Sequence, residues 1–242
     1  MKKKKNKTLR IILFIILAVL LALFLYTAYG RVGRNDKNSV IKGLREYEPN
    51  SNVLIVYFTG GENMPLDKVD AVSSASVFEE NGEMTGNVGV VANKLQEITH
   101  GDLYSLQTKE LYSANYRYST YQAMFEQTLR HRPELTDNIP DLSKYDTIIL
   151  AYPQWWMKAP LAIESFVSQN DLSGKTIMPL SVHFSSGLGG SVEQISALTD
   201  AKITNGLAVS ESNVKSDSVY KTLEKWFDEN GITTYTQKEE IQ

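Results

Sequence analysis

Five short apolar runs alternate along this chain with stretches of helical periodicity, and that alternation limits the architectures open to it. The strand-like runs are Val53 to Phe58, Leu103 to Leu106, Thr147 to Tyr152, Thr176 to Val182 and Ile203 to Val209. Each is too short for a helix and rich in β-branched or aromatic residues, which marks a strand buried on both faces. Between and after them, helices are expected over Val88 to Thr99, with Val91, Leu95 and Ile98 on one face, and over Thr120 to Arg130, Leu161 to Val167, Val192 to Leu198 and Val219 to Phe227. Strands that alternate with helices form a parallel sheet covered on both sides, so the expected fold class is α/β, a doubly wound five-stranded parallel sheet. In such sheets ligands sit beyond the carboxyl ends of the strands, where the strand order reverses.

A second feature precedes the alternation. Six cations crowd the first ten residues (Lys2, Lys3, Lys4, Lys5, Lys7 and Arg10), and an apolar run follows from Ile11 through Ala28. About 18 residues of helix span roughly 27 Å, enough for a hydrocarbon core. Only Arg31, Arg34 and Lys37 lie just beyond the run, so the positive-inside rule expects a cytoplasmic N-terminus and an extracytoplasmic domain. The competing reading is a secretory signal cleaved near Ala28-Tyr29-Gly30, which would release the domain. The expected organisation is a basic segment at 1–10, a transmembrane helix at 11–29, a linker at 30–51, the α/β domain at 52–232 and a frayed tail at 233–242.

Beyond the basic segment, 19 Lys and Arg face 28 Asp and Glu, a net of about −9. That balance disfavours nucleic acid and suits a basic protein partner, or serves solubility alone. The chain has no cysteine, which removes disulfides, thiolate chemistry and a lipid-modified cysteine anchor. His100, His131 and His183 are too scattered to suggest a metal site.

Three loops follow strand ends. After the first strand, Tyr57-Phe58-Thr59-Gly60-Gly61-Glu62-Asn63 offers a hydroxyl and two glycines where backbone amides can meet a phosphate. An insertion, Met64 to Thr85, separates it from Gly86-Asn87-Val88, the start of a strongly periodic helix and a second place for an anion. After the third strand, Tyr152-Pro153-Gln154-Trp155-Trp156-Met157-Lys158 sets two indoles side by side; they either sandwich a planar heterocycle or build a buried aromatic cluster. After the fourth, His183-Phe184-Ser185-Ser186-Gly187-Leu188-Gly189-Gly190 brings amides close to a ring edge. These serines have no GxSxG elbow, which disfavours a hydrolase.

Together VLIVYFTGGEN, YDTIILAYPQWWMKAP and LSGKTIMPLSVHFSSGLGGS resemble the flavodoxin-like family over about Asn52 to Ile232. The resemblance implies a flavodoxin-like fold binding flavin mononucleotide (FMN) and carrying electrons one or two at a time. By position, it assigns Thr59, Gly60, Gly86, Asn87 and Val88 to the phosphate. It places Pro153, Gln154, Trp155, Trp156 and Met157 along the isoalloxazine ring, with His183, Ser186 and Gly187 at its other edge. The chain departs from the family pattern: Val88 replaces a threonine, Met157 a glycine, and Phe184-Ser185 a glycine pair. Within the insertion, Asp70-Ala71-Val72-Ser73-Ser74-Ala75-Ser76 resembles the sequence on which extracytoplasmic transferases esterify FMN, making Ser76 a candidate for covalent attachment.

The expected function is therefore a membrane-anchored FMN protein that passes electrons to or from a redox partner outside the cytoplasmic membrane. The alternatives are an NAD(P)H-dependent quinone or small-molecule reductase, with His183 or Tyr118 as proton donor, and a flavin-free surface binding module.

Overall fold

The computed structural model describes residues 2–30, 32–33, 44–45, 51–65, 69–70, 77–80 and 83–232. Ser76, most of the 30–51 linker and the 233–242 tail lie outside the described residues. The chain opens with helix α1 (Lys2–Gly30), which contains both the basic segment and the apolar run. Its large apolar side chains from Leu9 to Leu21 are solvent-exposed. Among the described residues no helix is long and apolar enough to cross a membrane; within α1 the described side chains are those of residues 7–22.

The main sheet contains β1 (Leu44–Arg45), β2 (Val53–Tyr57), β3 (Asp102–Ser105), β4 (Thr147–Pro153), β5 (Thr176–His183), β6 (Lys202–Ile203) and β7 (Leu207–Ser210). Its order is β6-β5-β4-β2-β3-β1, with β7 also paired to β5. The five strand positions expected from sequence run parallel. Two differences from the expectation have physical causes. The fifth position is split into β6 and β7 by the polar stretch Thr204-Asn205-Gly206, and both pieces pair with β5. An antiparallel edge strand, β1, is added from within the linker, with Leu44 opposite Tyr104 and Arg45 opposite Leu103. Two residues carry no readable alternation, so sequence pattern does not reveal such a strand.

The helices are α2 (Asn87–Thr99), α3 (Tyr116–Leu129), α4 (Leu161–Gln169), α5 (Ser191–Ser196) and α6 (Ser218–Glu229). Side chains alternate across the sheet: Ile55, Tyr57, Leu180 and Val182 pack with α2 and α6, while Leu54, Val56, Leu150 and Tyr152 pack with α4 and α5. Every residue of β4 is buried, as expected of a central parallel strand covered on both faces. Helix α3 starts four residues before its apolar periodicity, because Asn115 Oδ1 accepts the Tyr118 amide at 3.1 Å and caps the tyrosine-rich first turn.

The strand order reverses between β3 and β4 on either side of β2. The carboxyl ends of β2 and β4 thus flank the crevice, with the β5 loop beside it.

Candidate functional site

The loop after β2 turns through a short 3-10 helix, Gly60–Glu62, capped by Thr59, whose Oγ1 accepts the Gly61 amide at 3.3 Å. Asn63 fixes this loop from below. It is fully buried, its Nδ2 donates to the carbonyls of Thr59 (3.0 Å) and Leu106 (3.1 Å), and its Oδ1 accepts the Thr108 amide at 2.9 Å. One asparagine thereby joins the loops after β2 and β3.

The insertion after Asn63 returns through an antiparallel hairpin, Phe78–Glu80 with Glu83–Thr85, that delivers the chain to Gly86. Gly86, Asn87 and Val88 are all buried, and the start of α2 has no side-chain cap. First-turn amides have no intrahelical partner, so this end offers backbone donors to which an anion can bind. Val88 belongs to the core on the α2 face, where it is fully buried. The Glu62 carboxylate lies close by: an ideal Cβ on Gly89 would stand 3.8 Å from its Oε1, which accepts the Tyr57 hydroxyl at 2.7 Å.

After β4, Trp155 and Lys158 exchange backbone hydrogen bonds of 2.9 and 3.1 Å around a two-residue turn. Trp156 (φ 52°) and Met157 (φ 63°) occupy its centre, both left-handed, as a type I′ turn requires. The two indoles consequently part. Trp155 turns inward and meets Phe58 (5.3 Å, 85°) and Tyr112 (5.1 Å, 76°) edge to face. Trp156 is half exposed, and its Nε1 donates to the Thr120 carbonyl of α3 at 3.0 Å. Phe58, Tyr112 and Trp155 come from the loops after β2, β3 and β4, so this aromatic triad holds three site loops together.

The β5 loop is anchored from two sides. Ser181 Oγ donates to the Gly187 carbonyl at 2.9 Å, and the Gly190 amide donates to the Met157 carbonyl at 2.8 Å. Gln154 bridges the same loops: its Nε2 donates to the Leu188 carbonyl at 2.6 Å and to Ser191 Oγ at 3.0 Å. Ser191 also accepts the Tyr152 hydroxyl at 2.9 Å, and burial drives the Tyr152 phenol well above its ordinary range. Gln154 is only 9% exposed, yet its Oε1 has no hydrogen-bond partner. A buried bare acceptor costs about 1–3 kcal/mol, which is offset where a ligand donates to it.

Pro153 ends β4 in the buried ladder, and Ser186 and Gly187 line the partly exposed β5 loop. His183 ends β5 partly buried; desolvation lowers its pKa, and the Glu211 carboxylate opposes that shift. Phe184, next to it, is 71% exposed. Tyr118 sits exposed on the first turn of α3, two residues before the Thr120 carbonyl that receives Trp156. Asp70, the first residue of the Ser76 motif, caps the same helix: its Oδ1 accepts the Tyr116 amide at 2.7 Å and its Oδ2 the Asn115 side-chain amide.

Sequence reasoning passed over Asn63, Ser181, Ser191 and Glu211. Asn63 stands beside the glycines it supports, the two serines lie at or next to ends of apolar or Gly-rich stretches, and Glu211 has no local signal at all.

The order β3-β2-β4-β5 with helices on both faces, and a crevice at the reversal, defines a flavodoxin-like α/β protein. The flavodoxin family model matches residues 81–230, more than half of the chain, and the chain belongs to that family. A candidate flavoprotein from Bacteroides eggerthii is similar in fold, at 23% identity and TM-score 0.56, covering 74% of this chain and 97% of that one. Another from Bacteroides uniformis gives 20% identity and TM-score 0.53, covering 73% and 99%. A Lactobacillus acidophilus flavoprotein in complex with FMN gives 19% and 0.48, covering 69% and 97%. No curated protein matches the chain.

Proposed function

We propose that this chain is an FMN-binding electron carrier of the flavodoxin type, held at a membrane by α1 with its α/β domain on the outer side. The observation that carries the FMN reading is the convergence of two complementary features on one crevice. An uncapped, buried helix start at Gly86-Asn87-Val88 suits a phosphate, and the bare Gln154 Oε1, beside the glycines of the β5 loop, suits an N–H on the edge of a flat ring.

FMN, when bound, supplies the one- or two-electron chemistry. The protein's part is to bind and orient it. Thr59, Gly60 and the first amides of α2 hold the phosphate. Trp156, half exposed above the turn, offers a π-face, and Met157 lies beside it. Gln154 fixes the ring edge, while Pro153, Trp155, Ser186 and Gly187 shape the walls. His183 stands at the end of the row, where a proton can be held. An exposed rim of Tyr118, Trp156 and Phe184 leaves the site open to a redox partner, and the acidic domain favours a basic one.

The membrane reading rests on the lysine-rich start, the apolar run of about 18 residues and the exposure of its side chains. Purification of the full chain from membranes in detergent, with protease added to intact cells, tests it. The anchored reading expects the domain to be digested from outside while the N-terminus is protected; recovery of the protein in the soluble fraction rejects it. Acid precipitation of the FMN-loaded protein then reads attachment. Colour released to the supernatant means noncovalent FMN, and colour retained, then lost in Ser76→Ala, means an ester at Ser76.

A further inference from the structure

The chain joins its domain almost as soon as α1 ends. The helix stops at Gly30, and Val32–Gly33 pair antiparallel with Glu110–Leu111, Val32 opposite Leu111 and Gly33 opposite Glu110. Only Arg31 lies between, and two peptide steps reach at most about 7 Å. The end of α1 is therefore held beside the segment that follows β3, at the carboxyl end of the sheet. The next residue along, Tyr112, meets Trp155 in the aromatic triad, and Trp156 reaches α3 through its hydrogen bond to the Thr120 carbonyl.

A second observation concerns the same end of the domain. Outside α1, seven large apolar side chains are exposed among the described residues, and six of them stand there: Tyr116, Tyr118 and Tyr121 on the first half of α3, Trp156 and Met157 in the β4 turn, and Phe184 after β5. The seventh, Leu129, closes α3, about 20 Å along the axis from its start. The three tyrosines and Trp156 are between 39% and 50% exposed, so each ring is part seated and part presented. Amphipathic rings of that kind suit a lipid–water interface, where the ring meets acyl chain and the polar tip meets headgroup or water. Arg117 and Lys158 are exposed among them, and long cations at that depth reach lipid phosphates. Asp70, at the same helix start, has its carboxylate engaged by Asn115 and Tyr116.

We propose that this aromatic rim is a membrane-docking surface, which rests in the interface of the bilayer that α1 enters and turns the mouth of the crevice toward lipid. The inference rests on the membrane-anchored reading of α1. Two features that need not coincide do so: the short connection fixes which end of the domain lies near the bilayer, and that end carries the exposed rings. A domain hung on a long free linker would have no use for such a face. The connection also keeps the rim at high effective concentration beside the lipid, so weak contacts by each ring suffice. A partner that exchanges electrons with the crevice then approaches along the membrane.

The test places the full chain in phosphatidylcholine vesicles and reads tryptophan emission, with lipids brominated near the headgroup end of their acyl chains as contact quenchers. Trp156 emission is the difference between wild type and Trp156→Phe, since buried Trp226 on α6 and inward-turned Trp155 remain in both. In brominated vesicles that difference should fall by about half or more relative to unbrominated ones. The double variant Tyr118→Ser with Tyr121→Ser, its fold checked by circular dichroism, should lose part of the quenching seen in wild type; unchanged quenching there overturns the docking even if Trp156→Phe fails to fold. Vesicle flotation separates the two kinds of failure. Protein that does not float defeats the anchored reading and the docking together. Protein that floats with undiminished Trp156 emission is anchored but holds its rim away from lipid, which overturns the docking alone.

Discussion

The carbonyl oxygen of Met157 occupies the space that a side chain on Gly189 would need: an ideal Cβ at Gly189 would stand 2.3 Å from that oxygen. This close approach locks the tryptophan turn onto the β5 loop, and the adjoining Gly190 amide completes it with a 2.8 Å hydrogen bond. Gly189 also has φ 51°, so any side chain there is strained twice over. Gly189→Ala should destabilise the domain by about 2 kcal/mol or more and weaken FMN uptake, as read by urea unfolding and flavin fluorescence.

Met157 is the reverse case. Its side chain is exposed, while its φ of 63° places a non-glycine residue in the left-handed region at the centre of the turn. Met157→Gly should relieve that strain and raise stability by roughly 0.5–1 kcal/mol, measured as a higher urea midpoint at unchanged slope.

The two tryptophans should separate in their effects. Trp155 is built into the triad with Phe58 and Tyr112, so Trp155→Ala should cost about 3 kcal/mol in stability. Trp156 is half exposed and tied by one hydrogen bond, so Trp156→Ala should cost under about 1 kcal/mol while lowering FMN affinity. Similar unfolding midpoints for the two variants would contradict this division.

Asn63 carries more than its size suggests. Asn63→Ala strips partners from the Thr59 and Leu106 carbonyls and from the Thr108 amide, all buried. A loss of about 2–4 kcal/mol is expected. Hydrogen exchange should quicken at Gly60, Gly61 and Thr108 before the rest of the sheet.

Alkaline stability has an identifiable contributor. Burial raises the Tyr104 phenol from 10.0 to about 12, against a smaller lowering by the Thr136 side chain. The folded state therefore holds this proton more tightly than the unfolded chain. Its stabilising contribution is complete below pH 10.0 and disappears as pH rises to about 12. Tyr104→Phe should flatten the fall in stability across that window, as followed by denaturant melts at successive pH values.

The sheet was legible in the sequence because its central strands are buried on both faces and read as unbroken apolar runs, β4 most plainly. The start of α3 was less so. Its first turn, Tyr116 to Ser119, lacks apolar periodicity, and only the Asn115 cap marks it. The adjacency of Trp155 and Trp156 indicated an aromatic site but left a sandwich and a buried cluster equally open. Two left-handed residues decide the geometry by sending one ring inward and the other onto α3, and neither Trp nor Met advertises such a backbone. Glu211 was invisible for a different reason. It follows Ser210, which pairs with His183 only through the register of β7 on β5, and local pattern does not encode that register. The support given by Asn63 is likewise a long-range matter, since its partners Leu106 and Thr108 lie beyond the whole of α2.

The most direct measurement is a fluorescence titration of FMN with the full chain in detergent, run beside riboflavin, which lacks the phosphate. Saturable quenching at one FMN per chain, with riboflavin bound at least tenfold more weakly, is the predicted result. Unquenched FMN, or equal affinity for the two flavins, would contradict a phosphate held at Gly86-Asn87-Val88 and a ring held against Gln154.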